Sequence, residues 1–303
     1  MPFADRLAEF PIVLEVVPPH RRASESTVRK FVKRVQEAVR EIPRLDAVNI
    51  PEILDENHAG RPFYRNLSPR RFAGLLNIRF SLEPIANKVV VHLGGMGEFD
   101  AWAKESLDAY GLRNFVLVGG ANGRVRYPGP TVALANERLQ GLAASYPGVA
   151  IGNIAIPERA GEVERMIAKT RTGCSFFTTQ VLFEPDPVAS LLRQYGEACA
   201  FEGVEPATVL LSFAPVVDYQ DVEFLAWLGA SMTPETEERL LASTVPGLAS
   251  IQVARDIFTK IRDRVAASDP AVPLGVNIEE ISTHNFDLAV RMAKEFPGWQ
   301  SAK

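Results

Sequence analysis

Eight times along the chain, a short run of strand-forming residues is followed by a stretch with helical periodicity, and this alternation constrains the fold more than any other feature. The strand-like runs are PIVLEVVP (11–18), LDAVNI (45–50), KVVVHLG (88–94), NFVLVGG (114–120), VAIGN (149–153), SFFTTQVLF (175–183), TVLLSFA (208–214) and PLGVNIE (273–279). Helices are predicted over 26–42, 68–76, 99–111, 132–145, 158–171, 187–202, within 218–266 and over 283–296. Ser68 and Pro69 supply an N-cap and a first helical residue for the second of these. Strands alternating with helices read as a parallel sheet with helical crossovers, and this number of units in 303 residues suits one (β/α)8 TIM barrel spanning 1–303. No Pro/Gly/Ser linker divides the chain. The competing arrangement, an open doubly wound sheet, usually carries a Gly-rich fingerprint after its first strand, where this chain has VPPHRRAS.

A content of 47% hydrophobic and 23% charged residues fits a soluble globular protein and excludes disordered and collagen-like classes. MPFADRLAEF carries charges where a signal peptide needs an apolar core, and no run of roughly 18 apolar residues marks a membrane span. The expected location is therefore the cytoplasm, with no membrane partner. A net charge of -4, with both signs spread along the chain, gives no general field for nucleic acid. Cys174 and Cys199 lack the number and spacing of a metal knuckle or a disulfide framework, and His20, His58, His92 and His284 show no metal spacing. No metal is expected, and the oligomeric state, including a homo-oligomer, is open.

In a barrel of this kind the residues ending each strand build the site. FPIVLEVVPPH places Glu15 among strand-forming neighbours, with Pro18-Pro19 ending the ladder just beyond it. The other strand ends offer Asn49 with Glu52, Asp55 and Glu56; His92; Gly119-Gly120; Asn153; Gln180; Ser212 and Tyr219; and Asn277 with Glu279 and Glu280. A carboxylate in an apolar mouth loses water, which favours its protonated form and suits a general acid near neutrality. The alternative for Glu15 is a structural ion pair with a lysine or arginine inside the barrel. GGMG and GGANG do not complete a dinucleotide fingerprint. GGANGRVR sets Arg124 and Arg126 beside a flexible turn, either to face a nucleotide phosphate or to be a solvated loop.

Taken together, LEVVPP, AVNIPE, VVHLGG, FVLVGG, FTTQVLF and LLSFAPVVDY occur in an order and spacing that resembles the methylenetetrahydrofolate reductase family, over nearly the whole chain. The resemblance also implies the barrel. It puts the family's catalytic acid at Glu15, its pterin-binding glutamine at Gln180 and a stacking aromatic at Tyr219. Asn49 stands where the family has a threonine and would help orient the pterin; Glu56 is a candidate second acid at the mouth. His92 keeps the family's histidine, and with Gly119, Gly120 and Arg124 it forms the candidate cofactor-binding set.

The departures concern the flavin. Gly119 and Ala121 replace an arginine and an aspartate of the flavin-dependent members, and in GNIAIP Gly152 and Ile156 replace a tyrosine and a histidine. The chain is thus similar to the flavin-independent branch. The resemblance implies reduction of 5,10-methylenetetrahydrofolate to 5-methyltetrahydrofolate, within one-carbon metabolism and methionine biosynthesis, by hydride transfer directly from NADH or NADPH. Glu15 would supply the proton. An FAD-dependent reductase and a folate-binding barrel without reductase activity are the alternatives.

Overall fold

The computed structural model describes residues 1–76, 82–120, 123–266, 271–281 and 284–301. A closed barrel of eight parallel strands forms its centre, in the order β1 (Ile12–Glu15), β10 (Leu274–Glu279), β9 (Thr208–Phe213), β8 (Phe176–Val181), β7 (Ala150–Ala155), β6 (Asn114–Val118), β5 (Glu83–Val89) and β2 (Ala47–Ile50), which returns to β1. A hairpin of β3 (Leu54–Glu56) and β4 (Pro62–Tyr64) stands on the loop after β2. The helices that follow the strands are α2 (Glu25–Glu41), α3 (Pro69–Leu76), α4 (Met96–Asp108), α5 (Val132–Ala143), α6 (Glu162–Arg171), α7 (Pro185–Glu202), α8 (Tyr219–Trp227), α9 (Pro234–Leu241), α10 (Pro246–Val265) and α11 (Phe286–Ser301).

Successive side chains of a strand face opposite sides, so every second residue enters the barrel. The lower interior is filled by Val13, Ala47, Ile85, Val116, Ala150, Phe176 and Leu210, closed from below by Phe3 and Leu7 of the N-terminal segment that contains α1 (Phe3–Arg6). Phe3 and Phe176 meet edge to face at 5.5 Å. A β-carbon at Gly152 would lie 2.3 Å from the Phe176 ring, so glycine there is what lets that ring fill the centre. The outward faces of the strands pack against the helices as the main apolar core, which takes in both Cys174 and Cys199. Burial pushes the Cys174 thiol up to about 12, so it packs as an apolar group.

Three sets of expectations need correction. The third barrel strand is Glu83–Val89 rather than 88–94; Val90–His92 forms a 3-10 turn beyond it. KVVVHLG has the more strand-like composition, but EPIANKV makes the ladder because its polar residues are accommodated: Asn87 faces the mouth, and Lys88 turns outward to a buried carboxylate. Asn153 leaves the list of mouth residues. It faces outward, buried against α5, where Asn136 donates to it at 2.8 Å. The chain ends of 158–171 and 283–296 also move, to Glu162–Arg171 and Phe286–Ser301, with 282–283 outside the described residues.

Candidate active site

Two residues above the apolar plug, the same inward rows turn polar. Val13 is followed by Glu15, Ala47 by Asn49, Ile85 by Asn87, Leu210 by Ser212, and Gly275 by Asn277 and then Glu279. Strand register makes Glu15 the direct neighbour of both Asn49 and Glu279, and Asn277 that of Ser212. Closure between the first and last barrel strands therefore joins residues that are far apart in sequence.

Asn49 donates to Glu15 Oε2 at 2.7 Å. The Asn277 amide nitrogen lies 3.1 Å from Glu279 Oε1, 3.3 Å from Ser212 Oγ and 3.5 Å from Glu15 Oε2. An amide has only two N–H bonds to share among those three acceptors. Among the described residues no lysine or arginine reaches Glu15 or Glu279. Loss of water drives the Glu15 carboxyl well above the usual carboxylate range; the neighbouring Glu279 charge adds to this, and the amide bonds only partly oppose it. Burial likewise raises Glu279, to about 7. Glu280, just past the strand, accepts from the Val17 amide at 3.1 Å and is raised by burial to about 8. The amide oxygens of Asn49 and Asn277, both side chains essentially inaccessible, have no partner. This wall of the mouth therefore holds acids ready to carry protons, beside acceptors in need of donors.

The other candidates lie around this centre. His92 Nε2 is 2.9 Å from Glu56 Oε1, and the Tyr127 hydroxyl donates to Glu56 Oε2 at 2.8 Å, so Glu56 is clamped between them and holds the hairpin against the loop after β6. Tyr127 also explains the glycine turn, because its ring lies against Gly120, where a β-carbon would sit 2.2 Å away. Arg124 and Arg126 are exposed; Ala121 lies outside the described residues. Gln180 is the penultimate residue of β8, and its amide nitrogen donates to the carbonyl of Leu228, in the segment following α8. Tyr219 opens α8 with 54% of its surface exposed. Glu15 and Asn49 are thus brought together, His92 and Glu56 pair with each other, and the structure adds Asn277, Glu279 and Ser212 to the first group. The signal for the addition was the two-residue spacing of Asn277 and Glu279 on a barrel strand.

Between the hairpin, α3 and α4 opens a cleft of ≈ 510 Å³ lined by Tyr64, Arg70, Lys88, His92 and Trp102 among others. Its charges are paired: Lys88 with Glu52 at 2.8 Å and Arg70 with Glu105 at 2.8 Å. Among the described residues no three His, Cys, Asp or Glu side chains are placed to hold a metal ion, and no helix is long and apolar enough to cross a membrane.

No protein-family model matches the chain, and no curated protein matches it by sequence. Solved structures do match in fold. A protein from Clostridium thermocellum, described as uncharacterized and as binding two copies of 5-methyl-5,6,7,8-tetrahydrofolic acid, superposes with a TM-score of 0.77 at 18% identity, over 96% of this chain and 97% of the other. A dihydropteroate synthase from Xanthomonas albilineans matches at 0.48 and 13% identity over 97% and 94%, too loosely to carry argument. The fold is a (β/α)8 barrel.

Proposed function

We propose that the protein binds a reduced folate in the barrel mouth and reduces 5,10-methylenetetrahydrofolate to 5-methyltetrahydrofolate, with hydride passing directly from NADH or NADPH. The observation that carries this reading is Glu15: a proton-holding acid at the centre of the mouth, held by neutral amides rather than by a cation. The folate-binding neighbour of the same fold supports the ligand class.

Opening the methylene bridge needs a proton on the tenth nitrogen, which leaves an electrophilic iminium carbon at the fifth to accept hydride. The Glu15 O–H bond breaks, its proton goes to that nitrogen, and the electron pair stays on the carboxylate. Asn49 and Asn277 fix the acid by donating to its carboxyl. Gln180 would present its amide oxygen from the opposite side, and Tyr219 at the rim would cover the bound ring. Holding the donor carbon of the nicotinamide against the iminium is the protein's further contribution. His92, Gly119, Gly120 and Arg124 remain the proposed dinucleotide contacts.

Flavin independence is supported by the sequence departures: Gly119 and Ala121 stand where the flavin-dependent family has an arginine and an aspartate, and Gly152 and Ile156 where it has a tyrosine and a histidine. An anaerobic assay of flavin-free protein with NADH and methylenetetrahydrofolate tests the reading. Wild type is expected to oxidise NADH and Glu15→Gln to lose the activity; full activity in the variant would remove Glu15 as proton donor. Yellow protein with parallel double-reciprocal plots would indicate a flavoenzyme. The second reading, a folate-binding barrel without reductase activity, is favoured by the neighbour's being described by what it binds; wild type that binds 5-methyltetrahydrofolate but leaves NADH untouched would establish it.

A further inference from the structure

Glu279 has no place in the mechanism above, yet it is the nearest ionisable group to Glu15. The two face the barrel interior at paired positions on adjacent strands, where neighbouring backbones run about 4.8 Å apart. The Asn277 amide reaches both carboxyls. Around them, β2 contributes the neutral Asn49, β9 the neutral Ser212, and the end of β10 the further acid Glu280. Arg34 on α2 bears on Glu280 and is itself paired with Asp287 at 2.8 Å. Two carboxyls in such a setting cannot both be ionised without strong repulsion.

We propose that Glu279 is the positioning residue for the Glu15 proton: the two carboxyls, at paired positions on adjacent strands and bridged by the Asn277 amide, act as a dyad that holds a proton between them for Glu15 to deliver. Once Glu15 gives its proton away, both members are anionic, and repulsion between them draws a replacement proton from water before the next turnover. The catalytic meaning of the dyad rests on the reductase reading; its existence in the ligand-free protein does not.

Carboxyl-carbon NMR titration of glutamate-labelled, ligand-free protein tests it, with the two resonances assigned from Glu15→Gln and Glu279→Gln. A dyad predicts that in wild type each resonance reports both protonation steps. It predicts that in Glu279→Gln the Glu15 midpoint falls by about one pH unit or more, and that Glu279→Asp restores most of the coupling. Two independent single-step curves in wild type, or an unmoved Glu15 midpoint in Glu279→Gln, would overturn the proposal. The wild-type curves decide the matter even if the glutamine variant fails to fold. In the active enzyme, the alkaline limb of kcat/KM moves to lower pH in Glu279→Gln and returns in Glu279→Asp. Failure of the reductase reading shows separately, as wild type that leaves NADH unoxidised while its titration remains coupled.

Discussion

Glu15 and Glu52 belong to adjacent barrel units, and the chain treats them in opposite ways. Glu52 has a lysine at 2.8 Å and the Val89 amide at 2.8 Å, so both of its oxygens are satisfied by strong donors, one of them charged. Glu15 receives only neutral amide nitrogens and has two further acids for company. A compensated buried acid is a structural tie; one stripped of much of its water with no cation beside it keeps its proton, because ionising it there is costly. The same residue type thus serves as anchor on the outward face of β5 and as acid on the inner face of β1. Facing direction and the partner present decide the difference.

The largest contrast is expected in catalysis. Glu15→Gln keeps the shape and the amide contacts and removes the transferable proton, so kcat/KM should fall by on the order of 10²–10⁴, the usual worth of a positioned acid. Its urea midpoint at pH 7 should match or exceed that of wild type, since a neutral group replaces an acid held neutral by its surroundings. A stability loss in this variant would mean that Glu15 has an unseen ionic role, and the contrast with Glu52 would break.

Lys88→Met should do the reverse. The Lys88 and Glu52 side chains are 9% and 6% exposed, so removing the cation strands a buried carboxylate and should cost about 3–5 kcal/mol in denaturant unfolding. Lys88→Met with Glu52→Leu should recover most of that loss, because replacing both partners leaves no buried charge unpaired. If the single and double variants are equally unstable, packing of the lysine stem rather than charge pairing holds the hairpin side of the barrel.

Much of the fold was legible because period-two runs and period-3.6 stretches alternate so regularly, and Glu15 was legible because two prolines mark where its strand must stop. Other features were hidden for physical reasons. EPIANKV reads poorly as a strand, since the lysine that weakens its propensity is matched by Glu52, a tertiary partner that a local reading does not contain. The plug formed by Phe3 and Leu7 carries no signal beyond two apolar residues in a charged segment. His92 and Glu56 were each recognised as candidate mouth residues, but their mutual bond depends on how a hairpin folds back over the third strand. The dyad was concealed most fully, because Glu15 and Glu279 meet only when the last barrel strand closes on the first.

The smallest expected effect separates burial from pairing for the third acid. Glu280 is 1% exposed and is raised by burial to about 8, against about 4.3 in an unfolded chain. Between those values the folded protein binds a proton that the unfolded chain has released. Stability therefore falls as pH rises through this window, and the contribution, complete below about 4.3, is lost by about 8. Glu280→Gln removes that proton difference while its side-chain oxygen can still accept from Val17. The variant should gain on wild type by up to roughly 3–4 kcal/mol between pH 5 and pH 8, read from urea midpoints at the two pH values. A variant less stable at both would show that the carboxylate, through Arg34 or Val17, is worth more to the fold than its burial costs, and Glu280 would then belong with Glu52 rather than with Glu15.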